Sequence, residues 1–244
     1  MINTEAVNRD KTTARVVGTL YIMATVASSL TVVLLTPTLD APDYLVRLSA
    51  NEFQVSLALL LMLVDVFCVV GIGTMLYPIL KRNFEALALG FTAARIIEGV
   101  LFIVYCIGVL SLLALSREFV RAGTPDASHF QSNGTIMLAV SNWAFSLGLR
   151  FAFGISALLL NYMLYQSKLI PRWLSGWGFV GGLFVFAMLF SELFNMNLPG
   201  ISDVLIAVQE MVFAVWLIVK GFNPSAIASA SVEAGVNEVT MQHS

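Results

Sequence analysis

The sequence predicts an all-α fold: a polytopic membrane helical bundle of about six transmembrane helices, with both termini cytoplasmic. Three observations predict it. Of the 244 residues, 58% are apolar and only 11% are charged, with a mean hydropathy of +0.86, against about 25% charged residues in an ordinary soluble domain. The apolar residues gather into segments of about 20 or more, the length that crosses a bilayer. Lysine and arginine collect in alternate connections, the pattern that orients membrane proteins.

Taken in order, the first segment is Val16 to Thr36, preceded by Arg9, Lys11 and Arg15. At about 21 residues it exceeds the roughly 7–15 of a cleavable signal core, so it reads as a retained helix. The stretch from Asp43 to Phe53 mixes charge with Tyr44, Leu45, Val46 and Leu48, which fits a short amphipathic helix at the interface. The second segment, Val55 to Tyr77, is expected to end at Pro78, with Lys81 and Arg82 beyond it. The third, Glu85 to Leu115, and the fourth, Ile136 to Tyr165, are longer than a crossing needs and are expected to tilt or project. Between them Ser116 to Ser132 reads as the longest polar connection and holds His129. The fifth, Trp173 to Phe194, carries Gly178 and Gly182, a small-xxx-small pair suited to close helix approach. The sixth runs from Ile201 to Lys220. Residues 1–223 thus form one transmembrane domain, and the small, polar tail 224–244 is expected to be disordered.

Arg9, Lys11, Arg15, Lys81, Arg82, Lys168, Arg172 and Lys220 fall on one side of this arrangement, and Arg47, Arg117 and Arg121 on the other. The positive-inside rule then places both termini in the cytoplasm. The partner this implies is the lipid bilayer; no basic patch points to nucleic acid. Cys68 and Cys106 lie inside apolar segments, so a disulfide framework is not expected. No histidine falls in a span, against histidine-held haem or zinc. No Ser, His and Asp set and no Gly-rich phosphate loop is visible. No cofactor, metal site or catalytic residue is therefore expected.

Five charges interrupt the apolar segments near their middles: Asp65, Arg95, Glu98, Arg150 and Glu210. Each costs about 2.5–3.5 kcal/mol at bilayer depth on an insertion scale, so it persists when paired, hydrated or useful. At 1.5 Å rise per residue the five fall at a shared depth, and they are the candidate substrate-binding residues. Arg95 and Glu98, spaced i, i+3, share a helix face and can pair. Arg95 is expected within hydrogen-bond reach of Asp65, Glu98 or Glu210. Asn142, Asn161 and Gln209 could add hydrogen bonds, and Glu192 and Asp203 lie nearer the outer surface as an acidic vestibule. The cluster handles a proton or small polar solute in a midplane cavity, or it fixes helix packing in a structural or regulatory protein that transports nothing. A third class, an enzyme acting on a lipid or quinone, would need a lateral groove reaching these carboxyls.

The motifs TTARVVGTLY (Thr12 to Tyr21), LVDV around Asp65, ARIIEG (Ala94 to Gly99), LIPRWLSGWG (Leu169 to Gly178) and VWLIVKGFN (Val215 to Asn223) resemble an uncharacterised bacterial multi-pass membrane family, domain of unknown function 4386. The resemblance spans roughly Lys11 to Asn223 and rests on Arg15, Asp65, Arg95, Pro171, Arg172, Glu210, Trp216, Lys220 and Gly221. It implies a bacterial inner-membrane location and no established activity. Arg150 and Glu192 belong to its pattern less clearly.

Overall fold

A computed structural model describes residues 4–123, 127–196 and 201–226. The regular elements among them are all helical: α1 (Thr4–Leu39), α2 (Tyr44–Ala50), α3 (Glu52–Ala122), α4 (Ala127–Ser146), a π-helical turn (Leu147–Ala152), α5 (Phe153–Ser167), α6 (Arg172–Leu193) and α7 (Ile201–Val219). Four continuous helical stretches are long and apolar enough to cross a membrane: Asn8–Leu39, Glu52–Ala122, Ser128–Ser167 and Arg172–Leu193. The tail expected to be disordered lies, from residue 227 onward, outside the described residues.

Helix α3 would measure roughly 100 Å if straight, more than three bilayer cores. It doubles back instead at Phe84, whose φ of −143° and ψ of 64° leave the helical region. Its arms, 52–83 and 85–122, pack antiparallel. A Cβ on Gly73 would sit 3.0 Å from the Cβ of Arg95, and one on Gly99 would sit 3.1 Å from Val70. The Thr92 hydroxyl reaches the Gly73 carbonyl at 3.2 Å, and at the open end Arg117 grips Glu52 at 2.7 and 3.0 Å. The second and third apolar segments are these two arms. Pro78 does not end the first of them, contrary to expectation; the helix runs on to the break at Phe84, a tolerance usual for proline in spanning helices.

The polar connection expected from Ser116 to Ser132 is shorter. Helix α3 continues to Ala122 and is capped by Gly123 at φ 61°, a left-handed conformation that glycine adopts without strain; α4 then begins at Ala127. The added turns are held by the Ser116 hydroxyl donating to the Leu45 carbonyl, by the Arg117–Glu52 pair and by Phe119 against Phe130, centroids 5.6 Å apart. The amphipathic segment is helical as expected in α2, with Tyr44, Leu45 and Leu48 buried.

The packing is inverted relative to a soluble protein. Phe53, Phe67, Leu60, Val33 and Leu89 are at least 60% exposed, while Asp65, Arg95 and Glu98 are at most 3% exposed. Apolar surface on that scale needs a partner, and lipid is the one composition supplies. Exposed hydroxyls within the spans bond to their own helix: the Thr74 and Ser111 hydroxyls reach the carbonyls of Val70 and Ile107. Hydrocarbon leaves them no other partner.

Small residues set the closest approaches. A Cβ on Gly182 would lie 3.0 Å from that of Ala157, and one on Gly178 would overlap the Asn161 side chain, so the small-xxx-small pair does seat α6 on α5. A Cβ on Gly18 would lie 2.6 Å from the Ala214 carbonyl oxygen and 2.8 Å from Ile218, which clamps α1 to α7 at one end. Because a backbone atom cannot rotate away, Gly18→Ala is expected to lower stability by about 1–3 kcal/mol. Gly176→Ala, with nothing within 4 Å, should leave the melting temperature in detergent unchanged, and the pair of melts checks the clamp.

Candidate functional site

Arg95 projects inward from the second arm of α3 because its turn alternates with outward Ile96 and Ile97, 44% and 47% exposed. Its guanidinium donates to both Glu98 oxygens at 3.1 and 3.3 Å and to the Tyr21 hydroxyl of α1 at 3.2 Å. Glu210 of α7 lies 3.7 Å away. Aromatic faces complete the surroundings: the guanidinium carbon is 5.2 Å from the Phe153 ring centroid, 5.6 Å from Tyr21 and 5.8 Å from Phe91. Cation–π contact of this kind strengthens as water is excluded. The expected hydrogen bond from Arg95 to a neighbouring acid is therefore present. Its Nε is buried without a hydrogen-bond partner among the described residues.

Asp65 differs from its neighbours. It projects from the first arm of α3, is 3% exposed, and interacts electrostatically with Glu98, Arg95 and Glu210. Among the described residues no hydrogen bond or ion pair reaches its carboxyl.

Arg150 does not join this group, and the single layer expected from sequence becomes two tiers. The Arg150 guanidinium holds Glu192, at the end of α6, at 3.0 Å and Asp203, at the start of α7, through two bonds, one of 2.9 Å. The Ser146 hydroxyl donates to the other Glu192 oxygen. Asp203 and Glu210 are separated by about 10 Å of helix rise. The two acids expected to form a vestibule are the partners of Arg150, and both remain partly exposed. Depth counted along each segment placed the Arg150 backbone and not its guanidinium, which reaches acids at the ends of α6 and α7 from a π-helical turn, a distortion frequent at functional sites.

Both tiers line one cavity of about 450 Å³. Asp65, Arg95, Glu98, Arg150 and Glu210 all face it, together with Tyr21 and Asp203. Asn161 and Gln209 do not contribute to the ion pairs; their amides donate to the carbonyls of Ala157 at 2.9 Å and Leu174 at 3.3 Å. Asn142 lines a shallower depression beside Ser146 and Glu192. Tyr21 was not among the sequence candidates because a tyrosine in an apolar helix reads as core; its position one turn beyond Gly18 was the available signal. Among the described residues no group of three or more His, Cys, Asp or Glu is placed to hold a metal ion.

Apolar helices turned outward around an interior of titratable, paired side chains define a helical membrane protein with a polar internal cavity. The chain belongs to the family described as Domain of unknown function (DUF4386), whose model matches residues 16–221. No curated protein and no solved structure matches it.

The two tiers differ in burial, and their arginines should differ in weight. Glu98 is 4% exposed at its side chain, whereas Glu192 and Asp203 are 32% and 39% exposed. Arg95→Ala, which strands buried acids, is expected to cost about 3 kcal/mol. Arg150→Ala, whose partners reach water, should cost about 1 kcal/mol. Denaturation of the two variants in detergent, compared with wild type, measures the difference.

Proposed function

We propose that this protein is a six-span bacterial inner-membrane protein, with both termini cytoplasmic, that handles a proton or small polar solute in its charged cavity. The six crossings are α1, the two arms of α3, the α4–α5 rod, α6 and α7. Charge supports the orientation. Arg82 grips Asp10 at 2.8 and 3.0 Å, which joins the start of α1 to the bend of α3. Asn223 bonds to the carbonyls of Leu169 and Lys168 at 2.8 and 3.4 Å, which joins the end of α7 to the α5–α6 turn. Arg9, Lys11, Arg15, Lys81, Arg82, Lys168, Arg172 and Lys220 all belong to these four segments. The other end carries Arg47, Arg117 and Arg121, fewer cations than the first, which is the asymmetry that sets orientation.

The observation that carries the functional reading is Asp65. Every other carboxyl facing the cavity has an arginine within 4 Å: Glu98 and Glu210 share Arg95, and Asp203 has Arg150. Asp65 alone can bind or release a proton, or hold a donor group of a solute, without breaking an ion pair. Glu210, at 3.7 Å from Arg95, is the looser of that arginine's two acids and is the second candidate. The Arg150 triad favours a packing role for the upper tier, because it ties the π-helical turn to the ends of both α6 and α7.

In proteoliposomes carrying an internal pH dye, Asp65→Asn is expected to reduce proton or solute-coupled flux by about a hundredfold, the scale on which a proton-transfer group acts. Glu210→Gln should show a smaller loss. Unchanged flux in both variants, with wild-type melting behaviour, would overturn the role of these acids. The topology is checked separately with an impermeant thiol reagent, which should label Arg121→Cys but not Lys81→Cys from outside intact cells; Cys68 and Cys106 are buried.

A further inference from the structure

The chemical class of the solute follows from three features of the same cavity. The first is charge. Four carboxyl groups, of Asp65, Glu98, Glu210 and Asp203, line the cavity beside the two guanidinium groups of Arg95 and Arg150, and Glu192 pairs with Arg150 from outside it. Each arginine already holds two acids, and the remaining acid, Asp65, is 97% removed from solvent and turned to the cavity. Such a site favours a positive charge and disfavours an anion, since like charge in a poorly hydrated space is repelled.

The second feature is the wall. A volume of about 450 Å³ far exceeds a hydrated proton and lies in the range of small-molecule sites, roughly 300–1,000 Å³. Phe102, Phe145 and Phe153 face it, with the first two rings 5.7 Å apart. Aromatic faces bind cations by their quadrupole, and Phe153 already does so for Arg95 at 5.2 Å.

The third is the way in. Helices α1 and α7 touch at Gly18, where Ala214 lies 2.6 Å from a built Cβ, and at Tyr21 against Phe213, centroids 5.3 Å apart. Beyond that clamp both helices line the cavity, through Ser29 and Val33 on one side and Asp203 and Ala207 on the other. Val33 is 67% exposed, so the rim of this gap lies on the apolar flank of the bundle.

The geometry points to a lipophilic organic cation, a protonated or quaternary amine with a small apolar body, that enters between α1 and α7 and is held by Asp65. This assignment rests on the solute-handling reading and names its substrate class. The apolar body partitions into the bilayer and reaches the gap laterally, the aromatic wall receives it, and the carboxylate of Asp65 neutralises the ammonium.

The test is equilibrium dialysis of the purified full chain in detergent against radiolabelled benzyltrimethylammonium. Wild type should bind it saturably, and unlabelled cation should displace it. Neopentylbenzene, its neutral isostere, and phenylmethanesulfonate should not. Asp65→Asn should weaken binding at least about thirtyfold, as loss of one partner of a desolvated charge pair does, while Asp65→Glu should retain it. Absence of saturable binding by wild type, or equal displacement by the neutral isostere, overturns the assignment without recourse to any variant. Unaltered affinity in Asp65→Asn overturns it as well. Proton flux that depends on Asp65 without cation binding would sink the substrate class and leave the reading above intact. Cation binding without Asp65-dependent flux of either species would instead sink that reading and leave the binding site.

Discussion

The bundle is organised by the requirement that Arg95 keep its charge. A guanidinium is protonated at any ordinary pH, so a bundle that buries it to 2% exposure must bring acids, hydroxyls and ring faces to it. Those groups come from α1, both neighbouring turns of α3, α5 and α7. Gly73 is part of the same requirement, because its missing side chain lets the Arg95 stem lie 3.0 Å from a built Cβ on the facing arm. The sharp reversal at Phe84 is what brings that arm back across the bundle. Remove the charge and register would rest on the glycine approaches and the remaining polar pairs alone, since lipid tails offer a hydrophobic helix no preference among faces.

Much of the fold was legible because hydrophobic length is a blunt and reliable signal. Segment ends proved harder. Pro78 beside Lys81 and Arg82 reads as an exit, yet the helix persists to Phe84 because a spanning helix retains its remaining hydrogen bonds for want of water. The polar run after Ser116 reads as a loop, yet Arg117, Phe119 and Ser116 each found a partner on a distant element, and no local rule anticipates those contacts. Gly178 and Gly182, by contrast, announced a close approach that the structure contains.

The site divided in the same way. The Arg95–Glu98 pair was readable from i, i+3 spacing alone, because both partners sit on one helix. Glu210 followed from depth, because α7 is regular from Ile201 onward. Arg150 defeated the same arithmetic, since its long side chain, on the π-helical turn at 147–152, reaches acids at the ends of α6 and α7 and leaves the depth of its own backbone. Its partners Glu192 and Asp203 flank a chain connection, where segment depth says least. Tyr21 was hidden by chemistry: a tyrosine can serve as an apolar body or as a polar tip, and only the neighbour decides which.

The two tiers also differ in what they allow. Arg150 holds Asp203 through both guanidinium branches and Glu192 through Nε, a fork geometry that fixes three backbone segments at once. Arg95 is bonded less evenly: Glu98 is close, Glu210 stands off at 3.7 Å, and Nε has no partner among the described residues. A rigid upper tier above an under-coordinated lower one leaves conformational freedom where Asp65 lies and withholds it at the helix ends. Motion that exposes the cavity is therefore cheaper as a parting of α1 from α7 beyond the Gly18 clamp than as a separation of α6 from α7, because the first breaks no ion pair of Arg150 and the second makes it release Glu192 or Asp203.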